Sequence, residues 1–251
     1  MIDLSGRRAL VTGGSRGIGA ATARLLARAG ADVVIGYRSR AADADSVVRE
    51  MRDMGVKAAA LAADVSTHEG AEFLVDSTVN LLGGIDLFVG NSGVWPVKDV
   101  SLIDMDVAQW SRTMRENVDS VFYTTRAVAR VITTGGRIVL ISSTAGQRGE
   151  AYHADYGASK GAVISFTKSL AVELGSRDVT VNSVAPGWVD TEMVAEAMAH
   201  TGRAKVDASI PIGRIASAED IAGPVVFLCS SLARHITGEI LNVNGGSVLC
   251  G

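Results

Sequence analysis

The stretch Ala9-Leu10-Val11-Thr12-Gly13-Gly14-Ser15-Arg16-Gly17-Ile18-Gly19 decides the fold of this 251-residue chain. An apolar run passes directly into a loop with four glycines, and a helix-like pattern follows over 18–29. Glycines let the backbone turn tightly and approach a pyrophosphate, and the free N–H groups at the start of a helix bind such an anion. The Gly-x-x-x-Gly-x-Gly spacing is neither the commoner Gly-x-Gly-x-x-Gly nor a P-loop. Its place between a strand and a helix favours a nucleotide-binding loop over an ordinary glycine-rich turn.

The same alternation of apolar runs and amphipathic stretches continues along the chain. Further strands are predicted at 33–35, 57–61, 86–89, 137–141, 179–184 and 240–243, with helices at 41–54, 67–82, 106–131, 156–174 and 218–228. This order predicts an α/β fold with a parallel sheet covered by helices on both faces. No linker or repeat divides the chain, so we expect a single domain over 1–251. The segment 187–216 lacks clear periodicity, which is typical of a lid or binding loop.

Composition excludes several classes of protein. With 47% hydrophobic and 20% charged residues the chain is not disordered, and a net charge of −3 gives no basic field for nucleic acid. No apolar stretch approaches the ~20 residues of a membrane span, and the N-terminus does not resemble a signal peptide. Cys229 and Cys250 form no disulfide or metal pattern, and the four histidines are scattered. We therefore expect a cytoplasmic protein without a metal, a nucleic-acid partner or a membrane.

The end of the second strand bears on the choice of cofactor. An NAD site usually has an acidic residue there, to bind the ribose hydroxyls. Here the strand ends in Ile35-Gly36-Tyr37-Arg38-Ser39-Arg40, and Asp32 lies at its other end. Arg38, helped by Arg40 and Arg16, could pair with a 2′-phosphate. We predict NADP(H) rather than NAD(H), the alternative being that these arginines are merely solvated.

A tyrosine and a lysine lie four residues apart at the start of a predicted helix, as Tyr156-Gly157-Ala158-Ser159-Lys160. Such a spacing places both side chains on one helix face. A nearby ammonium lowers the pKa of a tyrosine, whose free value is ~10. Ser142 and Ser143 end the strand 137–141, at the sheet edge where such folds bind ligands. Taken alone, a tyrosine and a lysine at this spacing would more often be ordinary surface residues of a helix. Their occurrence together with the other motifs favours a catalytic role.

Together these motifs make the chain resemble the short-chain dehydrogenase/reductase family over nearly its whole length. The matching positions are Thr12 to Gly19, Asp64-Val65, Gly90-Asn91-Ser92-Gly93, Asn117, Ser143 (13 residues before Tyr156), Tyr156, Lys160, Pro186-Gly187, Thr191 and Asn244-Gly245-Gly246. Gly90 and Ser92 depart from the more usual Asn and Ala, but Asn91 and Gly93 are retained. The resemblance implies a Rossmann-type, doubly wound, seven-stranded parallel sheet.

The resemblance also implies site residues and a reaction. Tyr156 would be the general acid in reduction and the base in oxidation, Lys160 would lower its pKa, Ser143 would bind the substrate oxygen, and Asn117 would support a proton-carrying water. The implied cofactor-binding residues are Gly13, Ser15, Arg16, Gly17, Ile18, Gly19, Tyr37, Arg38, Ser39, Asp64, Val65, Asn91, Gly93, Tyr156, Lys160, Pro186, Gly187, Val189 and Thr191. Trp95, Trp188 and Met193, with Ser143, are candidates for the substrate pocket, simple packing being the alternative. His153 and Asp155 flank Tyr156, and we interpret them as a loop and helix start rather than a triad.

Among subfamilies the chain is most similar to the 3-oxoacyl-carrier-protein reductases. An acyl thioester, on acyl carrier protein or free, is therefore the expected substrate. Arg177 stands at one expected carrier contact, while the turn Thr133-Thr134-Gly135-Gly136 lacks the usual basic residue and Arg126 and Arg130 could compensate. The alternatives are a dehydrogenase of free ketones, sugars or secondary alcohols, and a non-catalytic nucleotide-binding member. The family resemblance further implies a homotetramer.

Overall fold

Seven parallel strands form one sheet in the computed structural model, which describes residues 2–249. Their order across the sheet is β3-β2-β1-β4-β5-β6-β7, and every adjacent pair is parallel. The strands are β1 (Arg8–Thr12), β2 (Asp32–Tyr37), β3 (Ala58–Ala62), β4 (Ile85–Gly90), β5 (Ile132–Ile141), β6 (Thr180–Pro186) and β7 (Ile240–Val243).

Helices connect the strands, as right-handed crossovers between parallel strands require. They are α1 (Gly17–Arg28), α2 (Ala41–Asp53), α3 (His68–Leu82), α4 (Val107–Met114), α5 (Ser120–Val131), α6 (Thr144–Arg148), α7 (Ala154–Leu174), α8 (Ala195–Thr201), α9 (Arg203–Ala208) and α10 (Ala218–Cys229). A π-helical turn, Arg115–Asp119, joins α4 to α5.

Two apolar cores lie on opposite faces of the sheet. Ala9 and Val11 of β1 pack with α1, α2 and α10, whereas Leu10 between them packs with α3, α5 and α7. Successive side chains of a strand point to opposite faces, so a strand buried on both sides must be apolar at every position. The predicted doubly wound parallel sheet is confirmed.

The order of the strands reverses between β1 and β4. β2 and β3 lie on one side of β1, and β4 and the later strands lie on the other. The connections that follow β1 and β4 leave the sheet in opposite directions, which opens a crevice at the carboxyl ends of these two strands. The loop after β1 and the segment after β4 meet there, since the Asn91 and Ser92 N–H groups both donate to Thr12 Oγ1, at 3.0 and 3.1 Å.

The structure differs from the predicted elements at a few places. β5 begins at Ile132, so Thr133-Thr134-Gly135-Gly136 lies inside a strand and not in a turn before it. The pairing of β5 with β4 shifts register there, where a Cβ on Gly136 would lie 2.6 Å from Ile132. The segment 187–216 contains α8 and α9. No helix in the described part of the chain combines the length and apolar character that crossing a bilayer requires. Cys229 is buried and unpaired, and Cys250 lies outside the described residues.

Candidate active site

The loop between β1 and α1 is built to hold an anion. Gly13 and Gly17 adopt φ of +63° and +54°, where a side chain would be strained. The N-cap of α1 is Arg16, and within residues 2–249 no side chain caps this helix end. Its first N–H groups therefore keep free hydrogen-bonding capacity beside the crevice. The loop fits a pyrophosphate, which is the observation that favours a dinucleotide here.

Gly19 does not line the crevice, although it was predicted among the cofactor-binding residues. A Cβ there would lie 2.3 Å from the Gly13 carbonyl oxygen and 2.6 Å from Asn91 Nδ2. Asn91 Nδ2 itself donates to the carbonyls of Thr12 and Gly13 at 3.0 and 3.2 Å. Gly19 thus lets α1 pack closely against the loop, and Asn91 fixes the loop to the end of β4.

One end of the crevice carries the residues predicted to bind adenosine. Asp64 Oδ1 accepts hydrogen bonds from the Ser66 N–H and hydroxyl, which lower the pKa of its carboxyl. Arg38 lies at the end of β2, and no acidic residue ends this strand. Asp32 accepts from the Lys57 N–H at the opposite edge of the sheet. The absence of a carboxylate at the end of β2 and the presence of Arg38 suit a phosphorylated ribose.

The other end of the crevice holds the tyrosine and lysine. Tyr156 and Lys160 lie one turn apart in α7, with Lys160 Nζ 5.8 Å from the centroid of the Tyr156 ring. Lys160 Nζ donates to the carbonyl of Ile141 at 3.0 Å. Gly93 leaves room beside this ammonium, because a Cβ there would lie 3.4 Å from Nζ and 3.0 Å from Asn117 Oδ1.

Asn117 lies in the π-helical turn and is fully buried. It accepts from the Val94 N–H at 2.7 Å and donates to the Val94 carbonyl at 2.9 Å and to Ser159 Oγ at 3.0 Å. These bonds join the segment after β4 to α7. Asn117 does not line the crevice but lies directly behind it. A π-helical turn re-aims a side chain within a helix and is frequent at functional sites.

The two serines after β5 have different partners. Ser142 Oγ donates to the carbonyl of Val184 at 3.2 Å and accepts from Ser183 Oγ at 2.9 Å, so it is bound to β6. Ser143 Oγ accepts from the Ala145 N–H at 3.1 Å and is hydrogen-bonded to Tyr156. The geometry therefore agrees with the spacing that favoured Ser143.

Burial shifts the pKa values of both Tyr156 and Lys160. It raises the pKa of Tyr156 to about 12, an effect that the Ser143 hydrogen bond opposes and the charge of Glu150 adds to. Burial also lowers the pKa of Lys160 to about 8. The expected lowering of the Tyr156 pKa by Lys160 is not what this arrangement shows, because the cost of burying a phenolate dominates.

An apolar pocket adjoins Tyr156. The indoles of Trp95 and Trp188 meet edge to face with centroids 6.2 Å apart, and Met193 lies at the junction with the rest of the crevice. Arg148 and Glu150 also line this pocket. Burial raises the pKa of Glu150, which is hydrogen-bonded to Trp95.

His153 and Asp155 form no triad. His153 stacks on Trp95 with centroids 4.8 Å apart, and its Nε2 lies 2.8 Å from the Pro96 carbonyl oxygen. Asp155 is fully buried and accepts from the Thr113 hydroxyl at 2.7 Å. Both side chains therefore stabilise the start of α7, in agreement with their interpretation as part of a loop and helix start.

The basic residues considered for a carrier protein are engaged within the chain. Arg177 donates to the carbonyls of Ala129 and Ile132, at 2.6 Å each. Arg130 pairs with Glu72 at 2.8 Å, and Arg126 lies 3.9 Å from the same carboxylate.

The crevice brings together all predicted site residues except Gly19 and Asn117, which lie behind its wall. The charged residues that sequence reasoning missed are Glu116, Arg148, Glu150 and Glu192. Glu116 and Glu192 each adjoin a predicted residue, Asn117 and Thr191, and that adjacency was the available signal. Among residues 2–249, no group of three or more histidine, cysteine or acidic side chains could hold a metal ion.

The chain is similar to known proteins over nearly its whole length. A family model described as enoyl-(acyl carrier protein) reductase matches residues 13–247. The chain is 40% identical to the 3-oxoacyl-[acyl-carrier-protein] reductase of Vibrio cholerae over 248 residues, 98% of each chain. A short-chain dehydrogenase from Burkholderia cenocepacia, solved in complex with NADP, has a TM-score of 0.91 at 38% identity and covers 97% of this chain and 98% of its own. A blue fluorescent protein from a metagenomic library, solved with NADPH, has a TM-score of 0.92 at 35% identity, with 98% and 100% covered.

Proposed function

The chain belongs to the short-chain dehydrogenase/reductase family, and from that premise we propose that it is an NADP(H)-dependent oxidoreductase that reduces the 3-oxo group of an acyl thioester. The observation that carries the proposal is the convergence of Ser143, Tyr156 and Lys160 on one pocket, next to an uncapped helix start. The relatives named above supply the substrate class and the cofactor.

Different residues of the crevice would bind different parts of the cofactor. The α1 N-terminus and the loop 13–17 would hold the pyrophosphate, Asp64 and Val65 the adenine, and Arg38 with Arg16 and Arg40 the 2′-phosphate. Pro186, Gly187, Val189 and Thr191 would border the nicotinamide. When bound, the cofactor supplies the hydride.

Tyr156 then supplies the proton. Its hydroxyl faces the pocket beside Ser143, so a carbonyl oxygen placed there accepts two hydrogen bonds as negative charge develops on it. Lys160, cationic below about pH 8, stabilises that charge electrostatically. Asn117 keeps the segment after β4 and α7 at a fixed separation through its contacts with Val94 and Ser159.

The protonation state of Tyr156 favours reduction over oxidation at neutral pH. A hydroxyl with its pKa raised to about 12 is almost fully protonated, which suits a general acid. The reverse reaction needs the phenolate, so we expect it to speed up as pH rises.

The pocket favours an acyl chain over a small polar substrate. Trp95, Trp188, Met193 and Val194 give it apolar walls, and Arg148 is a cation at its edge that can meet an anionic group of a thioester carrier. One observation favours the second candidate, a reductase of free ketones, sugars or secondary alcohols: Arg126, Arg130 and Arg177 are engaged within the chain.

Larger-scale features belong to the same proposal. We take 1–251 as a single domain whose segment 187–216 is the substrate lid. Apolar side chains exposed on α4, α5 and α7 support a homotetramer, and a cytoplasmic location suits a thioester reductase.

A substrate panel tests the proposal. NADPH consumption is measured with acetoacetyl-carrier protein, acetoacetyl-CoA, a 2-enoyl thioester and simple ketones. We expect the 3-oxo thioesters to give the highest kcat/KM. A clear preference for a free ketone or sugar favours the second candidate, and no consumption with any carbonyl favours a non-catalytic nucleotide-binding protein.

A further inference from the structure

Every arginine proposed to meet the 2′-phosphate has a carboxylate partner in this structure. Arg38 Nη1 donates to both oxygens of Glu116, at 2.8 and 2.6 Å. Arg16 and Arg40 both donate to Glu192, at 2.6 and 2.9 Å. All five side chains line the same end of the crevice.

The two carboxylates differ in how they hold their arginines. Glu116 is 15% exposed in its side chain and uses one nitrogen of Arg38; within residues 2–249 the Nε and Nη2 atoms of that guanidinium carry no hydrogen bond. Arg38 can therefore bind an anion without leaving Glu116. A planar guanidinium offers several donors, so two acceptors can share it.

Glu192 instead lies between two guanidiniums. A single oxygen, Oε2, accepts from Arg16 before α1 and from Arg40 before α2. Arg16 and Arg40 lower the pKa of this carboxyl, so it is ionised at neutral pH. Its side chain is 57% exposed, which leaves it free to swing into solvent. An anion already occupies the position between the two cations, and a second one there would meet its charge at close range.

We propose that Glu192 is a specificity-determining residue whose carboxylate competes with the 2′-phosphate of NADP(H) for Arg16 and Arg40. The proposal rests on the cofactor assigned in the proposed function. Because NAD(H) has no 2′-phosphate, Glu192 lowers the affinity for NADP(H) selectively. Displacement of Glu192 also removes the ion pair that joins Arg16 of the phosphate loop to the segment 187–216.

Equilibrium binding provides the test without relying on turnover. NADP+, NAD+ and 2′,5′-ADP are titrated by calorimetry into the wild type, Glu192→Gln and Glu196→Gln. Glu196 is an exposed carboxylate of the same segment, in α8, and serves as the matched control for loss of one negative charge. We expect Glu192→Gln to bind NADP+ and 2′,5′-ADP about three- to tenfold more tightly, the scale of one or two exposed ion pairs. NAD+ affinity and the Glu196→Gln variant should stay within about twofold of wild type.

Three results would overturn the inference. An unchanged or weaker affinity of Glu192→Gln for NADP+ means that Glu192 does not compete. An equal gain in Glu196→Gln means that only general charge matters. Neither of these two results contradicts the proposed function, provided that the wild type binds NADP+ more tightly than NAD+. A wild type that prefers NAD+ contradicts the assigned cofactor as well.

Discussion

Lys160 is a buried cation, and its burial has a measurable cost. Its pKa is lowered from 10.5 to about 8, whereas in the unfolded chain it returns to the ordinary value. Between those two pH values the unfolded chain binds more protons than the folded one, so stability rises with pH. The penalty is fully present below about pH 8 and disappears as pH approaches 10.5; it amounts to about 3 kcal/mol.

Replacement of Lys160 by Met removes this titration. Between pH 8 and pH 10.5, we expect the unfolding free energy of the wild type to rise by about 3 kcal/mol relative to that of Lys160→Met. Urea unfolding at several pH values measures the difference. Lys168→Met, at an exposed lysine of the same helix, serves as control and should show no such trend. A difference that stays flat over this range contradicts the burial of a charged Lys160.

The family resemblance predicted most of the residues that line the candidate site. Tyr156 and Lys160 share a helix face through local geometry alone, whereas the choice of Ser143 rests on the separation from Tyr156 that is usual in the family. The partners Glu116 and Glu192 could not be predicted, because they approach Arg38 and Arg16 across 78 and 176 residues of chain. Burial, which sequence spacing does not reveal, is the largest cause of the raised pKa of Tyr156.

Among the elements, the start of α1 depends most on glycine. Gly19→Ala would place a methyl group 2.3 Å from the Gly13 carbonyl oxygen, so the loop and helix must move apart. We expect at least a tenfold loss of NADP+ affinity and a lower Tm. The matched control is Gly223→Ala in α10, where a Cβ meets nothing within 4 Å. This control should keep the wild-type NADP+ affinity, because Gly223 does not line the crevice. Equal behaviour of the two variants in calorimetry and thermal unfolding would refute this role of Gly19.

The elements that sequence patterns mispredicted share a cause. In β5 the run Thr133-Thr134-Gly135-Gly136 has turn-like composition, yet the strand continues through it with a shift in register against β4. The π-helical turn at Arg115–Asp119 lies inside a continuous helical pattern. Tertiary packing overrides local propensity in both cases, whereas elements such as α2, α7, α10 and β7 were predicted to within two residues of their ends.

At the scale of the whole molecule, an apolar surface remains on α4, α5 and α7. Val107, Trp110, Phe122 and Val172 are 80%, 40%, 44% and 84% exposed. Phe122 of α5 meets Phe166 of α7 edge to face at 6.4 Å, so these two helices share one apolar face. This exposed apolar surface is what the proposed homotetramer would bury.

A charge on that face should disrupt assembly. We expect light scattering to give a mass of four 26.0 kDa chains for the wild type and a smaller assembly for Val172→Glu. Phe73→Glu, at a 53% exposed position on α3, should leave the assembly intact. An unchanged mass for Val172→Glu would place the interface elsewhere.

The most direct test of the reduction mechanism is the kcat of Tyr156→Phe in NADPH-dependent reduction of an acetoacetyl thioester, measured together with NADP+ affinity. The substitution removes only the hydroxyl that donates the proton. We predict a fall in kcat of about 10²- to 10⁴-fold, the usual contribution of a general acid, with NADP+ affinity within about twofold of wild type. Turnover within tenfold of the wild type would contradict the assignment of Tyr156 as the proton donor.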